Sequence, residues 1–329
     1  MVELTDRSPG RLLAVAPNPS IDRLLEVGRL EPGEIHRPLA ATVVPGGKGF
    51  NVARAAATLG ASVTAVGLLG GHAGRWMAEA LGAEGVDVRA AWRDAETRTC
   101  TSVLDRGDGR TTEFYESGAP ITASEWERLL AEIETVLDAE DVGLVTVSGS
   151  LPPAAPAGGL AEIVERARST GRPVAIDGHG PALATALGAR PWLVKVNLAE
   201  ALAVLGPTRP IGTGPTAELA AAADAVRSLL EAGAERAIVT VGTLGAVASL
   251  EDGGLGHVRP GRPGPYPVSS GDAFLAGVAV SVLDGGDMRQ AVIRGTAAAE
   301  ASSRVPGAGR LERATAGSLV AEIAVEMLR

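Results

Sequence analysis

Cysteine is almost absent: Cys100 is the only one in 329 residues. A lone thiol excludes an intramolecular disulfide and fits a reducing compartment, so the expected location is the cytoplasm. Aromatic residues make up 3% of the chain. A core that poor in rings must be filled by Ala, Val, Leu and Ile, which suits parallel sheets covered by helices. Positive charge is also short, with 30 Lys and Arg against 39 Asp and Glu, a net charge of −9 and a pI near 5.1. This argues against nucleic acid or an anionic membrane as partner; any anionic ligand must be held by a local cluster of donors. No membrane span or secretory signal is expected, because the apolar "LLAVA" near the start is far too short. The four histidines (His36, His72, His179, His257) are scattered, with no second ligand at metal spacing. Lysine is the scarcest charge, present only at Lys48 and Lys195. Both survivors of a composition that otherwise uses arginine stand out.

What is abundant is an alternation of short apolar runs and helical stretches. "RLLAVAP" (11–17) reads as a buried strand closed by Pro and Asn, and "IDRLLEVGRL" and "ATVVPGG" as further extended segments. "NVARAAATLG" from Asn51 has helical spacing and ends at a C-cap glycine, Gly60. Strand "SVTAVGLLG" and helix "GRWMAEALGAEG" follow. "TRTCTSVLDRGDGRTTEFYESG" breaks the rhythm as a hairpin around Asp108-Gly109, the way a small antiparallel sheet attaches to a doubly wound domain. The rhythm then resumes with strand 142–150, helix 158–170, strand 173–177, helix 180–188, strand 191–197, helix 198–206 and helix 216–233. Two strands punctuated by Gly242 and Gly245 come next, and helices are expected at 271–283, 287–303 and 314–328. No internal repeat or low-complexity linker separates two independent domains.

Four stretches carry candidate chemistry. In "PGGKGFNVARAAATLG", Gly46, Gly47 and Gly49 permit close backbone approach and lead into a helix N-terminus beside Lys48 and Asn51. The spacing fits neither a Walker A loop nor a dinucleotide fingerprint. Asp22 in "NPSIDR" follows the first strand, where open α/β sheets place ligand groups, although an exposed turn carboxylate reads the same way. In "KVNLAE", Asn197 and Glu200 lie one helical turn apart at a strand-to-helix junction. Their oxygens suit Mg²⁺ or its waters, and equally a capping box. Finally, "YPVSSGDAFLAG" sets Ser270, Gly271 and Asp272 at a helix N-terminus. If a polyphosphate lies there, those amides stabilise charge on a transferred phosphoryl group, and the Asp272 carboxylate can take a proton from an attacking hydroxyl.

Together these motifs resemble the ribokinase-like (pfkB) carbohydrate kinases over nearly the whole chain. "GGKGFNVARAAATLG" is similar to the first family signature and "PVSSGDAFLAGVAV" to the second. "PNPSIDR", "PGEIHRP", "ETRT", "GRTTEFYESG", "VSGSLPP" and "VKVNLAE" resemble the branch of 1-phosphofructokinases and tagatose-6-phosphate kinases. The resemblance implies a three-layer α/β/α core (1–19, 44–95 and 117–329) with a β-sheet lid (20–43 and 96–116). It implies ATP and Mg²⁺ as cofactors, a sugar phosphate as partner and a homodimer through the lid. Carried over by motif position, Asp272 is the base, with Ser270 and Gly271 in the anion hole. Asn197 and Glu200 act on Mg²⁺ and phosphate. Asp22, Gly47, Lys48 and Asn51 hold the sugar, and Arg98, with Arg37 and Ser148, meets the phosphate already on it. Gly242 and Gly245 border ATP, and Lys195 lies near its phosphates. The expected reaction is fructose 1-phosphate to fructose 1,6-bisphosphate. The alternatives are another sugar or nucleoside kinase of this fold, including those for tagatose 6-phosphate and fructose 6-phosphate, or a non-catalytic sugar-phosphate sensor. Three departures bear on that choice: Ser269-Ser270-Gly271-Asp272 where the family has Gly-Ala-Gly-Asp, "DGHG" at 177–180 for Asp-Thr/Ser-Ser-Gly, and "KVN" for Lys-Pro-Asn.

Overall fold

The computed structural model describes residues 10–139, 141–206 and 212–328. The chain opens with β1 (Arg11–Ala16), β2 (Ser20–Val27) and β3 (Ala40–Gly46), then α1 (Lys48–Leu59), β4 (Val63–Gly70), α2 (Gly71–Ala83) and β5 (Asp87–Arg93). The hairpin strands β6 (Thr99–Asp105) and β7 (Thr111–Tyr115) precede α3 (Ala123–Ala139), β8 (Val142–Ser148), α4 (Gly159–Ser169), β9 (Val174–Asp177) and α5 (Gly180–Gly188). Then come β10 (Leu193–Asn197), α6 (Leu198–Leu205), α7 (Pro215–Glu231), β11 (Ala237–Thr240), β12 (Ala246–Ser249) and β13 (Leu255–Val258). α8 (Ser270–Leu283), α9 (Met288–Ser302), α10 (Arg313–Leu319) and β14 (Val325–Leu328) close the described chain.

Ten strands form the main sheet in the order β14-β13-β12-β11-β10-β9-β8-β1-β4-β5, parallel from β11 to β5 and antiparallel at β12, β13 and β14. β1 shows why its sequence is a continuous apolar run. Leu12, Ala14 and Ala16 pack with the core under α1, α8 and α9, while Leu13 and Val15 pack with the opposite core under α3, α4, α5 and α7. A strand buried on both faces has no polar side to alternate. Helices therefore cover both faces, the mixed α/β architecture expected.

A second sheet, order β3-β2-β6-β7, is built from the segments that broke the rhythm. Its register sets which side chains meet the core: Val44, Asp22, Cys100 and Tyr115 form one cross-strand row, and Val43, Arg23, Thr101 and Phe114 the next, on the opposite face. Asp22, Cys100 and Tyr115 line the central cavity, whereas Val43 and Phe114 are exposed.

Two expectations need correction, and one helix is additional to them. Residues 314–328 are not one helix: α10 ends at Leu319, a short 3₁₀ turn follows, and Val325–Leu328 pairs antiparallel with β13. The unpaired edge of β13 offers a ladder of donors and acceptors that outweighs the weak helical pattern. α1 begins at Lys48 rather than Asn51, because the turn is made at Gly47, whose φ is +81° and which has Pro19 packed against it. α3 was not anticipated, although Trp126, Leu129, Leu130, Ile133, Val136 and Leu137 are all buried and carry helical spacing.

Candidate active site

The carboxyl ends of β9, β10 and β11 and the residues after β8 converge on one cavity of about 610 Å³, walled on another side by the small sheet. Such a cavity is where open α/β sheets bind ligands. Asp22, Gly47, Lys48, Asn51 and Arg98 line it, as do Lys195, Asn197, Glu200, Gly242 and Gly245, together with Ser270, Gly271 and Asp272. Arg37 is exposed and Ser148 is buried at the end of β8 with its hydroxyl unpartnered; neither lines the cavity.

Two aspartates are joined by one amide. Asn51 Nδ2 donates to Asp272 Oδ2 at 2.9 Å and to Asp22 Oδ2 at 3.1 Å. Asp22 accepts further from the Gly47 N–H at 3.1 Å and from Ser20 Oγ at 2.7 Å. No side chain fits at Gly46, since a Cβ there would run into the Asp22 carboxylate. The glycine loop therefore serves to bring Asp22 against the first turn of α1.

A second cluster unites both lysines. Asp177, at the end of β9 and fully buried, pairs with Lys195 Nζ at 2.5 Å and Lys48 Nζ at 2.7 Å, and Lys48 reaches on to Glu200 Oε1 at 2.9 Å. The sequence reading treated 177–180 only as a departure; the hub was signalled by an acidic residue ending an apolar strand in a chain with two lysines. Burial by itself would raise the Asp177 carboxyl, but Lys195 and Lys48 outweigh it and hold it below the ordinary range. Burial likewise pulls Lys48 down, and Asp177, Glu200 and Asp272 more than reverse it, keeping the ammonium charged.

Asp272 is driven the other way. It is 5% exposed, and burial first, then the neighbouring Asp177, push its carboxyl up to about 7 against the pull of Lys48, Lys195 and Asn51. A carboxylate poised near neutrality is suited to accept a proton. At the same helix start, the Ser270 N–H donates to Pro267 O and the Asp272 N–H to Ser269 O. The Gly271 N–H has no acceptor among the described residues, and the Ser270 hydroxyl is buried and unpartnered. Both are unsatisfied donors at a helix N-terminus, a position chemically suited to an anion. A Cβ at Gly271 would sit 2.8 Å from Lys195 Nζ, so any larger residue there would push that ammonium aside.

Ser269 occupies the left-handed region at φ +64°. That costs about 1 kcal/mol for a residue with a Cβ, and its hydroxyl offsets the cost by accepting the Gly309 N–H at 2.7 Å. Asn197 and Glu200 make the full capping box: Asn197 Oδ1 accepts from Glu200 N–H at 2.8 Å and Glu200 Oε2 from Asn197 N–H at 2.9 Å. The Arg98 guanidinium donates to Glu116 O at 2.6 Å and Asn18 O at 2.9 Å. No group of three or more His, Cys, Asp or Glu that could hold a metal occurs among the described residues.

Fold and site together define a doubly wound α/β protein in which a buried carboxyl and unsatisfied donors share the first turn of one helix. A model of the pfkB family carbohydrate kinases matches residues 16–314, and the chain belongs to that family: it is a sugar kinase, which transfers phosphate to a hydroxyl group. It is similar to phosphofructokinase-2 from Escherichia coli solved with substrates and products, at 28% identity over 95% of this chain and 99% of that one, TM-score 0.83. A possible 1-phosphofructokinase from Thermotoga maritima shares the fold at 22% identity over 97% and 100% of the chains, TM-score 0.86. Arabidopsis thaliana ribokinase, complexed with ribose and ATP, is similar at 22% identity over 94% and 98%, TM-score 0.71. Among the described residues no helix is long and apolar enough to cross a membrane.

Proposed function

We propose that the protein phosphorylates the free primary hydroxyl of a ketose monophosphate, converting fructose 1-phosphate to fructose 1,6-bisphosphate at the expense of Mg-ATP. The observation that carries this reading is Asp272, a buried carboxyl raised to about 7 at the N-terminus of α8, with unsatisfied donors beside it. Asp272 takes the proton of the attacking hydroxyl while Asp22, shared through Asn51, orients the sugar. The Gly271 N–H and Ser270 hydroxyl accept the charge that develops on the phosphoryl oxygens. Bound Mg-ATP supplies the γ-phosphoryl group and a divalent charge that spreads its negative charge.

The cavity wall suits that nucleotide. Gly242 and Gly245 put no side chain into it, and the orphaned Ser270 hydroxyl needs an acceptor. Asn197 and Glu200 spend one oxygen each on the capping box and Glu200 a second on Lys48. What remains suits an ion held through its waters and brought in on phosphate, not a resident metal. Arg98 presents the substrate's own phosphate with the only guanidinium on the cavity wall among the described residues.

A second reading is fructose 6-phosphate as substrate, favoured by the 28% identity to an Escherichia coli phosphofructokinase-2 solved in complex with fructose-6-phosphate. ADP release with Mg-ATP against fructose 1-phosphate, fructose 6-phosphate, tagatose 6-phosphate, fructose and adenosine decides between them. Fast turnover confined to fructose 1-phosphate is expected; confinement to fructose 6-phosphate selects the second reading, and none on any ketose phosphate refutes both. The working unit we propose is cytoplasmic and a homodimer joined through the small sheet as lid, since that sheet's outer face and its connection expose Ile35, Leu39, Val43 and Phe114. Phe114→Asp should yield monomer in sedimentation.

A further inference from the structure

Arg54 lies on α1 one turn after Asn51 and is 2% exposed, yet the chemistry above makes no use of it. Its guanidinium is satisfied in four directions. Nε pairs with Glu84 Oε2 at 2.5 Å, Nη2 donates to Pro45 O, and Nη1 donates to Ala308 O at 2.7 Å and to Asn51 Oδ1 at 3.3 Å. A buried arginine so placed costs desolvation, which draws its pKa down against the pull of Glu84.

The contact with Asn51 decides the orientation of that amide. An asparagine presents a carbonyl at one end and two N–H donors at the other. Both donors are committed, one to Asp22 and one to Asp272. If the amide turned over, its oxygen would face two carboxylates and its NH₂ group would face a guanidinium, like against like at both ends. A second observation points the same way. The Ala308 carbonyl that Arg54 holds is next to Gly309, which packs on the Asn51 backbone and whose N–H holds the Ser269 hydroxyl. One guanidinium thus braces the amide and the loop that steadies the start of α8.

We propose that Arg54 is a positioning residue for catalysis, locking Asn51 in the orientation that gives one N–H to the substrate-orienting Asp22 and one to the base Asp272. Lysine cannot replace it, since a single ammonium lacks the planar fork that reaches Asn51, Ala308 and Glu84 together. The inference rests on the reading of Asp272 as base.

The test compares Arg54→Lys, Arg54→Met, Asn51→Ala, the Arg54→Met/Asn51→Ala double variant and Glu84→Gln. Arg54→Lys, which retains a charge for Glu84, should lower kcat on the ketose phosphate by about a hundredfold at temperatures below its melting transition, which itself falls because the Pro45 and Ala308 carbonyls lose a donor. Glu84→Gln loses an ion pair but keeps the guanidinium on Asn51, and should hold kcat within about twofold. The double variant should match Asn51→Ala alone, because two residues acting through one amide are not additive. A double variant as slow as the product of the two single losses, or a Glu84→Gln as slow as Arg54→Lys, overturns the proposal. A readout independent of turnover is the Asn51 side-chain amide resonance, assigned by its loss in Asn51→Ala. It should shift in Arg54→Lys and stay in place in Glu84→Gln; an unmoved resonance in Arg54→Lys overturns the proposal even if no sugar phosphate proves to be a substrate.

Discussion

Asp272→Asn should make the protein more stable and nearly inactive at once. The side chain keeps its shape, and its amide oxygen still accepts from Asn51. What changes is the cost of charge. In the unfolded chain this carboxyl ionises at 3.8, and in the folded protein at about 7. Between those values the folded state binds a proton that the unfolded state has lost, so stability falls as pH rises from about 4 through 7. The full gap corresponds to about 4 kcal/mol above neutrality. The substitution removes that loss, and at pH 8 the melting temperature should rise by roughly 5 °C, with the gain shrinking to nothing near pH 4. Over the same range, wild-type kcat/KM should climb with pH and reach half its plateau near 7, because only the ionised base is active. Losing the base should cost about 10²–10⁴ in kcat, with sugar phosphate binding mostly retained. Thermal melts of both proteins from pH 4 to 8, alongside kcat, test the chain of reasoning. A stability difference that does not change with pH would show that burial and Asp177 do not set this carboxyl, and full activity in the variant would remove it as base.

Arg98→Ala should raise KM for a phosphorylated ketose by about 10- to 100-fold, the loss of a charged hydrogen bond, with a smaller change in kcat; an unchanged KM would rule out its contact with phosphate. Lys195→Met leaves Asp177 buried with one cation instead of two and should cost about 3 kcal/mol in denaturant unfolding, a loss that should disappear when Asp177→Asn is added. Ser269→Gly should stay within about 0.5 kcal/mol of wild type, as relief of the left-handed backbone offsets the lost hydrogen bond to Gly309, whereas Ser269→Ala, with strain kept and bond lost, should be about 1 kcal/mol less stable. Equal effects of the two Ser269 substitutions would show that the hydroxyl contributes nothing.

Much of the site was legible in the linear chain because its parts are local. The glycine loop, the start of α8 and the Asn197–Glu200 pair each lie within a few residues, where turn geometry and helix capping leave a readable pattern. The Asn197–Glu200 spacing left metal and capping box equally open, and the capping box is what forms, each side chain accepting from the other residue's backbone N–H. Arg37 and Ser148, transferred by resemblance alone, do not reach the cavity wall, since one sits on an exposed connection and the other ends a buried strand. Asp177 and Arg54 were missed as site-forming residues for the opposite reason: each looks like an ordinary strand end or helix charge until its partners arrive.

By itself the sequence determined the alternation of strands and helices, the interruption by a small sheet, and the residue types able to bind an anion and remove a proton, because periodicity, glycine placement and helix capping act between near neighbours. Tertiary structure alone decided that Lys48 and Lys195 share one carboxylate 129 and 18 residues away, that Arg54 braces a loop 254 residues on, and that the last described residues form a strand instead of a helix. Those outcomes depend on which strands become neighbours and on where charge is cut off from water. Sheet order and burial belong to the folded whole, and no local pattern encodes them.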